Sequence, residues 1–356
     1  MDRLRILMVR VSAIGDVFMA LPVAMDLKEA ADCEITWLCE KHCAGILEGH
    51  PAVDRVLVWE RNRKHKTLSD LLRANGKIKK QLQGERFDYI LDHQGRLKLC
   101  GVLAGVKHKK TVGFSDPESF LVRFFYDITV PVGKREIYTD RNRLMVNAVL
   151  QNEKLPLCEK TTYPRIRITE EARALAAELL KDAPGRKIGI IFATSKECKY
   201  WQKEKWKELI RFVSHELDSV PVLFGGPGDR DYGEEIAAGD LRAVNTAGRT
   251  SLTEAAALLE KCSACVCVDT ALMHFSVCLD IPTVCLFGSD VYKEQHSLRD
   301  NFIIVHKPSD PNRPCHKRCR CPGHQCMKNI GAETVKEALA GALGLKSPGN
   351  CEEVSG

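Results

Sequence analysis

The hydrophobic positions of this chain fall into short continuous runs, separated by stretches with helical spacing. An apolar run over 4–11 predicts a buried strand, and the spacing over 17–31 predicts a helix after it. The alternation continues with a strand over 34–38, a short helix over 43–48 and a strand over 56–58. A basic helix over 68–83 follows, then a strand over 89–92, a small-residue helix over 97–104 and a strand over 110–113. Residues 130–164 carry proline, charge and weak periodicity, with one helix expected near 141–151 and a linker beyond it.

The pattern then restarts. Strands are expected over 187–192, 220–224, 244–246, 264–268 and 282–287, and helices over 206–217, 232–238 and 252–261 and from about 271. A last helix spans 333–343. Strand and helix in strict alternation imply parallel sheets covered on both faces. The expected architecture is α/β: two doubly wound, Rossmann-like domains, 1–165 and 175–332, facing a central cleft, with the helix of 333–346 packing back on the N-terminal domain.

Composition agrees with a globular protein. The 356 residues are 44% hydrophobic and 28% charged. No apolar run approaches the ~20 residues that span a bilayer, and the charged N-terminus does not read as a signal peptide. A cytoplasmic protein is expected. Of the 16 cysteines, Cys262, Cys265, Cys267, Cys278 and Cys285 lie inside apolar elements, as small buried hydrophobes do in a reducing compartment. The net charge of +6 is uneven: Arg61, Arg63, Lys64, His65 and Lys66 form a basic knot. Such density fits an anionic partner (phosphorylated lipid, nucleic acid or membrane surface) or a solvated face.

The candidate chemistry lies just beyond strand ends, where open parallel sheets bind ligands. Val268-Asp-Thr-Ala-Leu-Met-His274 joins a strand to a helix whose free N–H groups suit a phosphate. Thr194, Ser195, Lys199 and Trp201 follow the strand of 187–192, as phosphate contacts or as a polar loop anchored by its Trp. Gly225-Gly-Pro-Gly-Asp229 ends the next strand and permits close backbone approach, with Asp229 placed for ribose hydroxyls. In the first half, Ser12-Ala-Ile-Gly-Asp16 lacks the dinucleotide glycine spacing and any Walker lysine. Asp16 is either a helix cap or a general base. Asp92-His-Gln-Gly95, with Lys98 one turn on, is either a polar wall for a sugar or an Asp-capped turn. Cys315, Cys319, Cys321 and Cys326, with His316 and His324 interleaved, fit a structural zinc, thiol packing or an oxidation-prone loop.

In order and spacing, V-R-V-S-A-I-G-D-V-F-M-A-L-P (9–22), D-H-Q-G-R-L-K (92–98), K-Y-W-Q-K-E-K-W (199–206), F-G-G-P (224–227) and V-D-T-A-L-M-H (268–274) resemble the glycosyltransferase family 9 heptosyltransferases. These enzymes add heptose to the inner core of lipopolysaccharide. The basic knot and the D-x-Q-G-x-x-K element look most like members adding the first heptose. The C-terminal cysteines look more like members adding the second.

The resemblance implies a GT-B fold, an ADP-heptose donor, a Kdo–lipid A acceptor, inversion at the anomeric carbon and no catalytic metal. It implies Asp16 as base and Lys199 as the group neutralising the departing ADP. Thr194, Ser195, Trp201, Gly226, Asp229, Asp269, Thr270, Ala271, Leu272 and His274 would hold the donor. Ser12, Gly15, Arg61, Arg63, Lys64, Lys66, Asp92, Gln94 and Lys98 would hold the acceptor. The enzyme would work on the cytoplasmic face of the inner membrane, in peripheral contact with anionic lipid, and would bind no nucleic acid. Other readings are a family relative using another sugar or a later core acceptor, and a basic, zinc-stabilised nucleic-acid-binding protein. A Rossmann oxidoreductase is disfavoured by the missing glycine fingerprint.

Overall fold

The computed structural model describes residues 3–60, 68–103, 105–117, 119–133, 137–160, 162–288, 300–308, 315 and 322–345. The chain divides into two compact units, Met1–Arg167 and Ile168–Gly356.

The first unit is built on six parallel strands: β1 (Leu4–Val9), β2 (Cys33–Cys39), β3 (Arg55–Val58), β4 (Arg86–Asp92), β5 (Lys107–Phe114) and β6 (Ile128–Val130). Their spatial order is β3-β2-β1-β4-β5-β6. Helices α1 (Ile14–Ala30), α2 (Lys41–Ala44), α3 (Leu68–Gln81), α4 (Leu97–Leu103) and α5 (Tyr138–Asn152) connect and cover them. Because helices screen both faces, the strands carry apolar residues on both sides. Leu7, Val9, Ile78, Ile90, Leu99 and Val102 share one buried cluster.

The second unit repeats the plan with β7 (Lys187–Ile191), β8 (Val220–Phe224), β9 (Val244–Asn245), β10 (Cys262–Val268), β11 (Thr283–Phe287) and β12 (Phe302–His306). The order is β12-β11-β10-β7-β8-β9. Its helices are α6 (Glu170–Leu179), α7 (Lys203–Arg211), α8 (Arg230–Ala237), α9 (Leu252–Leu259), α10 (Ala271–Cys278), α11 (Gln325–Asn329) and α12 (Ala332–Ala342).

Both sheets therefore have the doubly wound 3-2-1-4-5-6 order, and in both the order reverses between the first and fourth strands. The registers Val9↔Asp92 and Cys267↔Ile191 bring the carboxyl ends of these paired strands side by side.

Several elements differ from the sequence expectation. Helix α1 begins at Ile14, not at 17, so Asp16 sits inside its first turn. Strand β6, of three residues, and strand β12 had no counterpart among the expected elements. Helix α6 occupies the predicted linker; Thr169 caps it, its Oγ1 accepting from Ala172 N at 3.2 Å. Helix α7 gives way at Phe212–Glu216 to a wider π turn. The last helix, α12, is packed within the second unit. Val335 and Leu339 of α12 are fully buried in the core cluster of the second unit, with Trp206, Val284 and Leu286. The four cysteines of β10 and β11 (Cys262, Cys265, Cys267 and Cys285) are free, buried thiols as expected, while Cys278 is half-buried.

The position of α12 is testable. Leu339→Ala should cost about 2–5 kcal/mol of stability, because the vacated space cannot close in a packed core. Urea unfolding measures this, and a loss below about 0.5 kcal/mol, the level of a surface change, would contradict the packing.

Candidate active site

In the first unit, Asp16 stands at the third position of α1. Its Oδ2 accepts from Ala13 N at 3.0 Å, which ties the carboxylate to the helix start. The same oxygen is paired with Arg10 Nη2 at 2.8 Å. Its Oδ1 accepts from the Tyr138 hydroxyl at 2.7 Å. Three donors on one carboxyl is the surrounding of an ionised, acceptor-only group.

Arg10 follows β1 directly. Its Nη1 donates to His93 O at 2.7 Å and its Nη2 to Tyr138 Oη at 3.2 Å. Tyr138 opens α5, so a segment 122 residues away meets the β1 end and the start of α1 on one carboxylate. Burial, as the largest cause, pushes the Tyr138 hydroxyl well above its ordinary range, so it stays a neutral donor to Asp16.

The loop carrying Asp16 is clamped from the neighbouring strand. Gln94 Oε1 accepts from Val11 N at 2.9 Å, and its Nε2 donates to Ser12 O at 3.1 Å. Asp92 Oδ1 accepts from the amides of Gln94 and Gly95, both at 2.9 Å, and Oδ2 accepts from Tyr126 Oη at 2.9 Å. Asp92 and Gln94, expected on an acceptor wall, are only 1% and 3% exposed. Their polar atoms are spent inside the protein, and they position the Asp16 loop. Ser12 is buried, Gly15 is half-buried and Lys98 is exposed on α4.

In the second unit, Lys199 lies in a single turn, Glu197–Lys199, beyond β7. Its Nζ is paired with Asp269 Oδ2 at 2.5 Å, across the point where the strand order reverses. Thr194 Oγ1 donates to Asp269 O at 3.3 Å, and Ser195 is exposed beside it. Thr270 is the extended residue that begins α10. The amides of Ala271 and Leu272 follow in the first helical turn, where no residue of that helix can accept from them, and both residues are half-buried. His274, one turn further, is buried.

Beyond β8, Asp229 Oδ2 accepts from Gly226 N at 2.8 Å and closes the glycine turn. Gly225 has no room for a side chain: a Cβ there would lie 2.8 Å from Asp229 Cβ. Burial first, then the charge of Asp229, raises the pKa of the neighbouring Tyr200. Trp201 was expected against the donor. It is instead 1% exposed, edge-on to Trp206 at 4.9 Å, with Nε1 donating to Ile330 O at 3.0 Å. It anchors the Lys199 loop to the core.

Arg61, Arg63, Lys64 and Lys66 lie outside the described residues, as do Cys319, Cys321 and His316. Cys315 and Cys326 are described, and both are buried. Among the described residues no group of three or more His, Cys, Asp or Glu side chains is placed to hold a metal ion. Sequence reasoning missed Arg10, Tyr138 and Tyr126. A charged residue closing an apolar strand was the available signal for Arg10; the two tyrosines gave none.

Two doubly wound units, each with polar side chains gathered at its reversal point, define the fold class. The architecture is that of GT-B glycosyltransferases. A family model, glycosyltransferase family 9 (heptosyltransferase), matches residues 75–324. Lipopolysaccharide heptosyltransferase 1 of Pseudomonas aeruginosa is 31% identical over 294 residues, which is 80% of this chain and 79% of that protein. The glycosyl transferase family 9 structure from Veillonella parvula matches with a TM-score of 0.78 at 19% identity, covering 96% of this chain and 97% of that one. The E. coli heptosyltransferase WaaC with ADP matches with a TM-score of 0.72 at 23% identity, covering 95% and 100%. The chain belongs to glycosyltransferase family 9 and is a heptosyltransferase of lipopolysaccharide biosynthesis. The nucleic-acid-binding and oxidoreductase readings fall with that result.

The site predicts an acid response. His93 is buried, edge-on to Phe114 at 5.3 Å, and its Nε2 has no hydrogen-bond partner among the described residues. Burial, then the charges of Arg10 and Arg141, hold its pKa down to about 3 from an ordinary 6.5. Between these values the unfolded chain binds the proton and the folded chain does not. Stability is therefore lost as pH falls below 6.5, by up to about 1.4 kcal/mol per pH unit. Asp92, whose pKa burial raises, acts in the opposite sense, so the variant is compared with the wild type. His93→Phe keeps the ring contact and should remove one proton's worth of that slope in urea midpoints; an unchanged slope would mean that His93 is charged in the folded state.

Proposed function

We propose that this enzyme transfers heptose from ADP-heptose to the Kdo–lipid A inner core, with inversion at the anomeric carbon. The observation that carries the reading is the Asp16 carboxylate, held by Arg10 and Tyr138 yet 37% exposed. The relative from Pseudomonas aeruginosa is a heptosyltransferase 1, which favours the first heptose addition.

In this mechanism the acceptor hydroxyl oxygen attacks the anomeric carbon. The bond from that carbon to the diphosphate oxygen breaks, and ADP leaves with the electron pair. The hydroxyl acidifies as the new bond forms, and its proton passes to Asp16. Attack on the face opposite the leaving group inverts the centre. Lys199 and the amides of Ala271 and Leu272 supply positive charge to the departing diphosphate. Thr194, Ser195, Gly226, Asp229, Asp269, Thr270 and His274 complete the donor site. Ser12, Gly15 and Lys98, with Arg61, Arg63, Lys64 and Lys66, meet the anionic acceptor.

No described helix is long and apolar enough to cross a membrane. The proposed location is peripheral, on the cytoplasmic face of the inner membrane, where basic segments meet anionic lipid. Cys315 and Cys326 are buried thiols, and a structural zinc shared with Cys319 and Cys321 belongs to the same proposal. Metal analysis should find about one zinc per chain; a metal-free, stable protein would leave thiol packing as their role.

ADP release from ADP-heptose, measured with and without Kdo2–lipid A and followed by mass analysis of the lipid, tests the reaction. Acceptor-dependent release and a lipid heavier by one heptose are expected. Transfer only to an already heptosylated acceptor would move the assignment to the second addition. Asp16→Asn should lower kcat by about 10²–10⁴-fold, the range of a general base, with donor affinity retained. Near-normal turnover would remove Asp16 from that role.

A further inference from the structure

The first unit carries a concentrated apolar surface that the reaction does not use. The two-turn 3-10 segment Phe120–Phe125 exposes Phe120 (63%), Leu121 (55%), Phe124 (73%) and Phe125 (56%). Helix α4, packed against this turn, adds Leu97 at 49%. Single exposed apolar side chains are ordinary, but a contiguous group marks an interaction surface. We propose that this turn is a wedge that enters the interfacial layer of an anionic lipid bilayer and seats the first unit on the membrane.

The turn is built to hold that shape. Val122 is 1% exposed and roots it in the core. Ser119 N donates to Gly95 O at 3.0 Å, and Tyr126 Oη donates to Asp92 at 2.9 Å. Gly113 leaves space for the Tyr126 ring: a Cβ there would lie 2.2 Å from its Cζ. The phenyl rings of Phe120 and Phe124 meet edge to face at 5.7 Å. An apolar group this exposed, fixed from both ends, needs a partner that covers it without a matching contour.

Charge selects a bilayer as that partner. The turn contains no acid, and its one charge is Arg123, whose guanidinium lies 5.2 Å from the centre of the Phe120 ring. An arginine there can bury its stem and keep its head at the phosphate level. Lys98 is exposed on the adjoining helix, and the nearby Asp116 is neutralised by a two-pronged pair with Arg141 at 2.8 and 2.9 Å. Aromatic rings mixed with cations fit an anionic interface. Placement agrees. The anchors Gly95 and Asp92 belong to the loop that clamps the Asp16 loop, so the wedge shares the carboxyl edge of the sheet with Asp16. With the acceptor proposed above, a sugar carried on a membrane lipid would then be presented where the base stands.

The test uses the full chain and vesicles of phosphatidylethanolamine and phosphatidylglycerol without lipopolysaccharide. Wild type should float with them, and the double variant Phe124→Ser, Phe125→Ser should bind roughly tenfold more weakly or worse. The variant should keep its Tm and its turnover on a deacylated, water-soluble acceptor, and lose turnover on acceptor embedded in vesicles. The four native tryptophans are buried, so Phe124→Trp is a clean reporter, expected to shift to the blue on vesicles and to be quenched by brominated acyl chains. Wild type that stays off the vesicles, undiminished binding by the double variant, or an unquenched Trp at 124 would overturn the proposal. Binding that needs lipid A in the vesicle would assign the patch to the acceptor's acyl chains instead. A wild-type dimer that the double variant converts to monomer would assign it to a second copy. Vesicle binding is read without acceptor, so absent heptosyl transfer by the wild type would overturn the functional reading alone.

Discussion

The strand order places β1 beside β4 and β7 beside β10, and at each of these two seams the connecting loops run to opposite sides of the sheet. A seam of this kind opens a polar gap in a structure otherwise closed by apolar packing, and the backbone groups facing it need partners. Each unit meets this with side-chain ties across the seam. In the first, Gln94 holds Val11 N and Ser12 O from the far strand. In the second, Lys199 reaches Asp269. The candidate catalytic groups, Asp16 and Lys199, stand on the loops that these ties fix.

The ties matter for position more than for stability. An ion pair whose partners are 27% and 13% exposed gains little net free energy, because water still screens one side. What it does is hold two loops at one spacing. The same holds for Asp16, where Arg10 and Tyr138 fix both oxygens, leaving the carboxylate oriented before any substrate arrives. Backbone turns assist: Asp92 and Asp229 each close the loop after their strand by accepting from its amides.

The apolar turn after β5 extends the same logic to a surface. Tyr126 links it to Asp92, and Ser119 to Gly95. One set of hydrogen bonds therefore spaces the Asp16 loop, the clamp and the exposed aromatic residues. A change at Asp92 would reach all three without touching substrate.

Much of this was legible in the chain. Apolar runs alternating with helical spacing gave the two parallel sheets, because a doubly covered strand must be apolar on both faces. Strand-end positions singled out Asp16, Lys199 and Asp269 as candidates, since ligands gather there in this architecture, and the structure sets Lys199 against Asp269 at such an end. Short edge strands such as β6 left no trace, as three residues carry no period. Trp201 and Gln94 misled because sequence position puts a side chain near a site but not on its surface; only packing decides whether it faces ligand or core. Tyr138, 122 residues from its partner, is brought to Asp16 by the docking of α5 on α1. Local propensity thus determined the elements and their order. The tertiary structure alone decided which polar atoms were left for chemistry, because burial and pairing are properties of neighbours that the sequence does not list side by side.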